Sequence, residues 1–309
     1  MDTRLTVLLT LILSTLFGLI PWAGPILAAP GRGAQVLRLP RDLGVHPDVP
    51  TESWRILGQL GDRTGRRFGF SYTLVRQGLS QAQRRGSAWA AKDLYFGLFT
   101  LADPHAERFH AFERLSRSAL GLSGARIEPL RVWLEDWTMD LSGGDTPRIR
   151  LRLAQDRIRL ALSLTGVKPM VTLSGGDAEP LLPTVLLAPR LAVRGTLRIG
   201  AERFKLRGLA LLERVLGRWP MAAGQMVWDR CYIHLDDGRD IVGSRMRRRD
   251  GSGVPIDRFV VITPEGALRR LPRSEVEVLT VQPWESPRDR LGYRLPALFR
   301  FKTEGLSLG

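Results

Sequence analysis

The chain has 309 residues, 46 Lys and Arg against 31 Asp and Glu for a net charge of +15, 44% hydrophobic residues and a single cysteine. That length and apolar fraction fit a globular protein of two small domains or one large β domain. One cysteine excludes an intrachain disulfide, so packing alone must hold the fold, with Cys231 as a buried small hydrophobe. The basic surplus is almost entirely Arg and suits either anionic partners such as lipid head groups at a membrane surface or, as the alternation of Arg150, Arg152, Arg157 and Arg159 with apolar residues favours, the solvated faces of strands. No nucleic-acid recognition module accompanies it.

In chain order, Met1–Arg4 carries one Arg, Leu5–Ile20 is almost wholly apolar, and Ile26-Leu27-Ala28 precedes Ala29-Pro30. This is the pattern of a secretory signal over residues 1–29, cleaved after Ala28 or retained as an anchor, and it places the protein in the periplasm or outside the cell. An entrance loop follows over residues 30–47. Beyond it, period-two alternation dominates and predicts an all-β chain. Strands are expected over Glu52–Leu60, Phe68–Arg76, Asp93–Ala102, Phe109–Ser116, Val132–Asp140, Ile149–Ala154 and Ile158–Thr165, joined by turn-forming runs such as Gly61-Asp62-Arg63-Thr64-Gly65. These make a first domain over residues 48–170. The Pro- and Gly-rich stretch 171–189 reads as a crossover linker, and a second strand set over residues 190–309 begins with Leu191–Ile199 and Arg203–Leu211. Leu209–Leu216 also fits a short helical pattern.

In the first strand Glu52, Trp54, Ile56, Gly58 and Leu60 share one face, because side chains alternate across a strand. If that face lines a barrel, Glu52 is either a desolvated acid whose neutral form is favoured, suited to protonating an apolar substrate, or a carboxylate at the barrel mouth held by backbone hydrogen bonds. Asp229 shares its strand face with Val227, Cys231, Ile233 and Leu235, so it is either a second acid in apolar surroundings or the partner of one of the many arginines. Trp228 points the other way, leaving Trp54 or Tyr72 to offer an aromatic face to a ligand. His46, in a Pro-flanked loop, reads as a cap on the barrel mouth. The four histidines lack the spacing of a zinc site, and no serine-hydrolase elbow, phosphate loop or dinucleotide fingerprint occurs, so neither metal nor cofactor is expected.

Several ordered blocks resemble the AttH-like family of lipocalin-like secreted proteins, which includes the carotenoid 1,2-hydratases. Asp42, Gly44, His46, Pro47, Glu52, Trp54, Gly58, Leu60, Phe68, Gly69, Phe70, Thr73 and Arg76 stand at matching places, and further blocks begin at Phe109, Val132, Pro189, Trp228 and Pro283. The resemblance implies two lipocalin-like antiparallel β-barrel domains in tandem, with an apolar ligand between or within them. It also implies that the chain ends at Gly309 before the closing family strands, leaving the second barrel open or completed by a partner such as a second copy.

Departures from the family pattern fall where its chemistry would sit. Leu43 replaces a loop His, Ser53 a Trp and Arg55 a Tyr; a tyrosine run is here Thr184–Ala188. Of one acidic box Glu213, Arg214 and Gly217 keep compatible chemistry, and of another Trp228 and Asp229. The leading expectation is therefore a binding protein for a lipid or terpenoid in the cell envelope, with Arg55 and Arg214 matching an acidic head group, in which hydratase chemistry is lost and an export partner is one further prospect. The alternative is a hydro-lyase adding water to an isoprenoid double bond, with Asp229, Glu213 or Glu52 as proton donor.

Overall fold

The computed structural model describes residues 39–79, 91–173, 184–216, 226–248, 252–253, 255–280, 284–285, 292–293, 296–303 and 306–308. The expected signal or anchor, residues 1–29, lies outside these, as do residues 174–183 of the expected linker. By contact density the chain divides into two compact units after Pro220.

The first unit is a nearly closed barrel of antiparallel strands. Its elements are β1 (Thr51–Gly61), β2 (Arg67–Gly78), β3 (Asp93–Asp103), β4 (Arg108–Arg117), β5 (Ser123–Ile127), β6 (Leu130–Leu134), β7 (Trp137–Ser142), β8 (Arg148–Gln155), β9 (Ile158–Gly166), β10 (Val171–Leu173), β11 (Thr184–Ile199) and β12 (Glu202–Leu216). The strand order is β4-β3-β2-β1-β12-β11-β9-β8-β7-β6-β5, with β10 paired to β11.

Local chemistry accounts for the hairpins. Between β1 and β2, Asp62 Oδ1 accepts hydrogen bonds from the backbone of Thr64 and Arg66, and Gly65 takes the left-handed backbone (φ +87°) that this turn requires. Along β8 and β9, Ile149, Leu151, Leu153, Ile158, Leu160, Leu162 and Leu164 point inward while Arg148, Arg150 and Arg152 face solvent. Each such apolar side chain contributes about 1.5–3 kcal/mol by leaving water. They join Trp54, Tyr72, Phe99 and Trp137 in one core. Opposite walls come close at Gly97, where a Cβ would sit 2.5 Å from Leu134 Cδ2.

The placement of β11 and β12 corrects the sequence-based division. Both were expected to open a second domain after a linker over 171–189; instead β12 pairs with β1 from Glu52↔Leu216 to Gly61↔Arg207, and β11 joins β12 to β9. Without them β1 and β9 would each present an unpaired edge, and pairing removes both. Residues 209–216, compatible with a helical turn by pattern, are strand.

In the second unit, β13 (Met226–His234), β14 (Asp240–Arg248), β15 (Ile256–Ile262) and β16 (Leu268–Leu271) form an antiparallel meander. Its core holds Cys231, Leu235, Ile241, Phe259, Val261, Leu271 and Val276. A three-stranded and a two-stranded sheet follow among residues 276–308. The all-β character expected from the sequence therefore extends to this smaller unit.

Candidate functional site

Register sorts the candidate residues of the first unit onto two faces of one wall. Residues directly opposite in an antiparallel pair point the same way. Trp54 lies opposite Arg214 and Leu74, and Glu52 opposite Arg76, so Glu52, Trp54, Arg76 and Arg214 face the barrel interior. Arg55 lies opposite Glu213 and Thr73, on the outer face.

The interior group sits where the entrance loop returns to the barrel. Glu52 and Arg214 are both 0% exposed, and Arg214 Nη2 donates to Glu52 Oε2 at 2.7 Å. Glu52 Oε1 accepts the backbone N–H of His46 at 2.6 Å. Both arginines also hold loop carbonyls: Arg214 Nη2 donates to Gly44 O at 2.7 Å, and Arg76 Nη1 to His46 O at 3.2 Å and Val49 O at 3.0 Å. Arg76 is anchored in turn on Asp93 at 2.8 Å. The Trp54 indole N–H donates to Leu43 O at 2.8 Å, and the Arg214 guanidinium lies 3.9 Å from the centre of its ring, a cation–π contact. Leu43 thus contributes its carbonyl and a fully buried side chain.

His46 Nδ1 is 3.2 Å from Glu52 Oε1 and 3.4 Å from Arg214 Nη2, and Nε2 is 3.3 Å from Asp42. Its hydrogen bond to Glu52 raises its pKa above the ordinary histidine value, against the opposing effect of burial. Burial pulls Arg214 down to about 10, with Glu52 acting the other way. The Tyr95 phenol is pushed up, chiefly by burial.

This geometry corrects the reading of Glu52 as an acid stranded in apolar surroundings. It is the counter-charge of Arg214, with Arg76 at 3.9 Å, and the expected backbone bond is present through His46. The group acts as a clamp: buried cations grip loop carbonyls, and one buried carboxylate balances them.

On the outer face the Arg55 guanidinium lies 4.0 Å from Glu213, and both side chains are buried. Around them on that face are Leu57, Val75, Val185, Leu187, Leu211 and Val215, also buried. Tyr72 lies on the inward face, opposite Ile56. It packs edge-on against Trp137 at 6.0 Å in the core, its hydroxyl without a hydrogen-bond partner among the described residues, and burial raises its pKa. It is therefore a core aromatic rather than the lining of an open pocket.

Asp229 and Trp228 belong to the second unit. Arg247 Nε donates to Asp229 Oδ2 at 2.8 Å, so the lone inward acid expected from the strand pattern is an ion-paired one. Trp228 donates to Ser244 Oγ and carries the Arg230 guanidinium 4.2 Å from its ring centre. Cys231 is buried, and burial pushes its thiol up to about 12. Among the described residues no cluster of three or more His, Cys, Asp or Glu could hold a metal ion.

The sequence reading passed over the working roles of Arg76 and Asp93. A usable signal was present, since Arg76 continues the inward series Phe68, Phe70, Tyr72, Leu74, where a cation requires a buried partner.

A nearly closed antiparallel β-barrel followed by a small β-sheet unit defines an all-β, barrel-based class of protein. The AttH-like family model matches residues 30–308, and the chain belongs to that family. Among solved structures it is similar to a candidate AttH from Nitrosomonas europaea, with TM-score 0.73 and 24% identity over 88% of this chain and 83% of that one. It is also similar to kievitone hydratase from Nectria haematococca, with TM-score 0.56 and 10% identity over 84% of this chain and 78% of that one. At these identities the likeness is one of fold. None of the curated proteins matches the chain.

Proposed function

We propose that this AttH-like protein binds an apolar ligand with an acidic head group, a lipid or terpenoid, in the cell envelope and without hydratase chemistry. The observation that carries the reading is the outer face of the β2-β1-β12-β11 wall, where Leu57, Val75, Val185, Leu187, Leu211 and Val215 surround a buried arginine at Arg55. Such an apolar face suits an acyl or isoprenoid chain, and the Arg55 guanidinium, 4.0 Å from Glu213, would exchange that contact for a carboxylate or phosphate held in a fork. Binding is favoured over hydration because each candidate proton donor is engaged by an arginine instead of facing a substrate: Glu52 by Arg214, Glu213 by Arg55 and Asp229 by Arg247. The envelope location rests on the N-terminal signal pattern.

Native mass spectrometry of protein recovered from the envelope fraction tests this directly. A reproducible adduct with the mass of a lipid or isoprenoid is expected, together with fluorescent fatty-acid uptake that weakens in Arg55→Gln. No adduct and no uptake would refute ligand binding. Hydration of an isoprenoid substrate by the purified protein would instead establish the lyase.

A further inference from the structure

Among the described residues the barrel's strands pair continuously from β4 to β5, and these two ends of the strand order are not paired with each other. Five of the seven large hydrophobic residues that stand exposed among the described residues lie on those strands or between them: Phe109, Leu115, Leu120, Leu122 and Ile127. Phe109 and Leu115 are the most exposed, at 67% and 68%. Both lie on the outward face of β4, with Ala111 and Glu113 between them. β4 pairs with β3 through ten successive residues, Leu94↔Arg117 to Asp103↔Arg108, without a bulge. Among the described residues its other edge is paired with no strand. Of the features that protect such an edge it has only charged side chains, Arg108, Glu113, Arg114 and Arg117, and neither a proline, a bulge nor a short length.

From this we infer that β4 is a dimerisation edge and that its partner is β4 of a second copy of the chain, paired antiparallel about a two-fold axis through Phe112. The sequence RFHAFERLSR places Phe109 and Leu115 three residues either side of Phe112. A two-fold axis there sets each Phe109 opposite the other copy's Leu115, twice over, on one continuous outer face. It also sets Ala111 opposite Glu113 and Arg108 opposite Ser116, so arginine never meets arginine on the facing edges. A slip of two residues either way opposes Phe109 to Glu113 or to Arg117 and loses both apolar pairs, so composition selects the register. The contact is isologous and closes at two copies instead of propagating as a fibre.

Sedimentation velocity on the purified chain over a concentration series tests the assignment. A monomer–dimer equilibrium is expected, and Leu115→Arg should weaken it on the order of tenfold, since one substitution removes both apolar pairs. Leu115 faces solvent, so an unchanged circular dichroism spectrum is expected and confirms that the variant folds. Register is read by mixing Ala111→Cys protein with Glu113→Cys protein under mild oxidation. These positions are directly opposed and should form a disulfide-linked dimer, whereas either variant alone places its cysteines diagonally, beyond bridging distance. A monomer at every concentration, or a dimer indifferent to Leu115→Arg and uncrosslinked in the mixture, would overturn the inference. So would a monomer that floats with anionic lipid vesicles in a Leu115-dependent way, which would assign this edge to a membrane.

Discussion

Two walls of the same barrel treat charge in opposite ways. In β8, burial alternates residue by residue, with Ile149, Leu151 and Leu153 inside and Arg148, Arg150 and Arg152 in water. In β1 six consecutive residues, Glu52 to Leu57, are buried, and in β12 so are Ala210 to Val215. Backbone geometry is common to both walls; the difference is whether the second face is wet. A wall with one wet face keeps its arginines solvated at little cost. A wall dry on both faces must either make both residue sets apolar or give each charge a counter-charge, and β1 and β12 do both, through Glu52–Arg214 inside and Arg55–Glu213 outside.

The sharpest way to break this contrast is to remove one half of an interior pair. Glu52→Ala leaves Arg214 buried without its counter-charge and should cost about 3–5 kcal/mol, read as a fall in the urea midpoint; a loss below about 1 kcal/mol would show that Glu52 does not hold the cluster together. Trp54→Ala, which removes a fully buried ring, the contact with Arg214 and the bond to the Leu43 carbonyl, should cost about 3 kcal/mol or more in the same assay. The outer faces should then separate the walls. Leu57→Ala on the dry wall should cost about 2 kcal/mol or more, while Arg152→Ala on the wet wall should stay within about 0.5 kcal/mol. Equal costs at these two positions would abolish the distinction.

The smallest expected effect concerns pH. The pKa of His46 is raised in the folded state, mainly by its hydrogen bond to Glu52, so its stabilising contribution is complete below the unfolded value near 6.5 and is lost as pH rises through the folded value. Stability measured from pH 6 upward should therefore decline across that window, and His46→Gln should remove this part of the decline. An identical pH profile in the variant would show that His46 protonation is not linked to folding.

The fold was most legible where one face is wet. The strand near Ile149–Ala154 and the turn at Asp62–Gly65 follow from alternation and from local Asp and Gly chemistry, and both are observed. It was least legible in the dry wall. Residues 209–212 and 215–216 are apolar on successive positions, broken only by Glu213 and Arg214, because both faces of the strand are buried, and such a pattern carries no period from which to tell strand from helix. The same ambiguity hid the pairing of β12 with β1 and shifted the expected domain boundary. Within the candidate site, the inward face of Glu52 and Trp54 was readable, but their partners were not. Arg76 lies 24 positions and Arg214 162 positions from Glu52, and nothing in a local pattern selects among the chain's many arginines.

The sequence by itself determined that the chain is built of strands, which face of each one-sided strand turns inward and where the tight turns fall. These depend on period-two geometry and on φ preferences acting over a few residues. Only the tertiary structure decided that β12 seals the barrel against β1, that the candidate acids are ion-paired and that, among the described residues, β4 is left with an unpaired edge. Those outcomes depend on which distant segments come together and on what then remains in reach of water, and no local pattern encodes either.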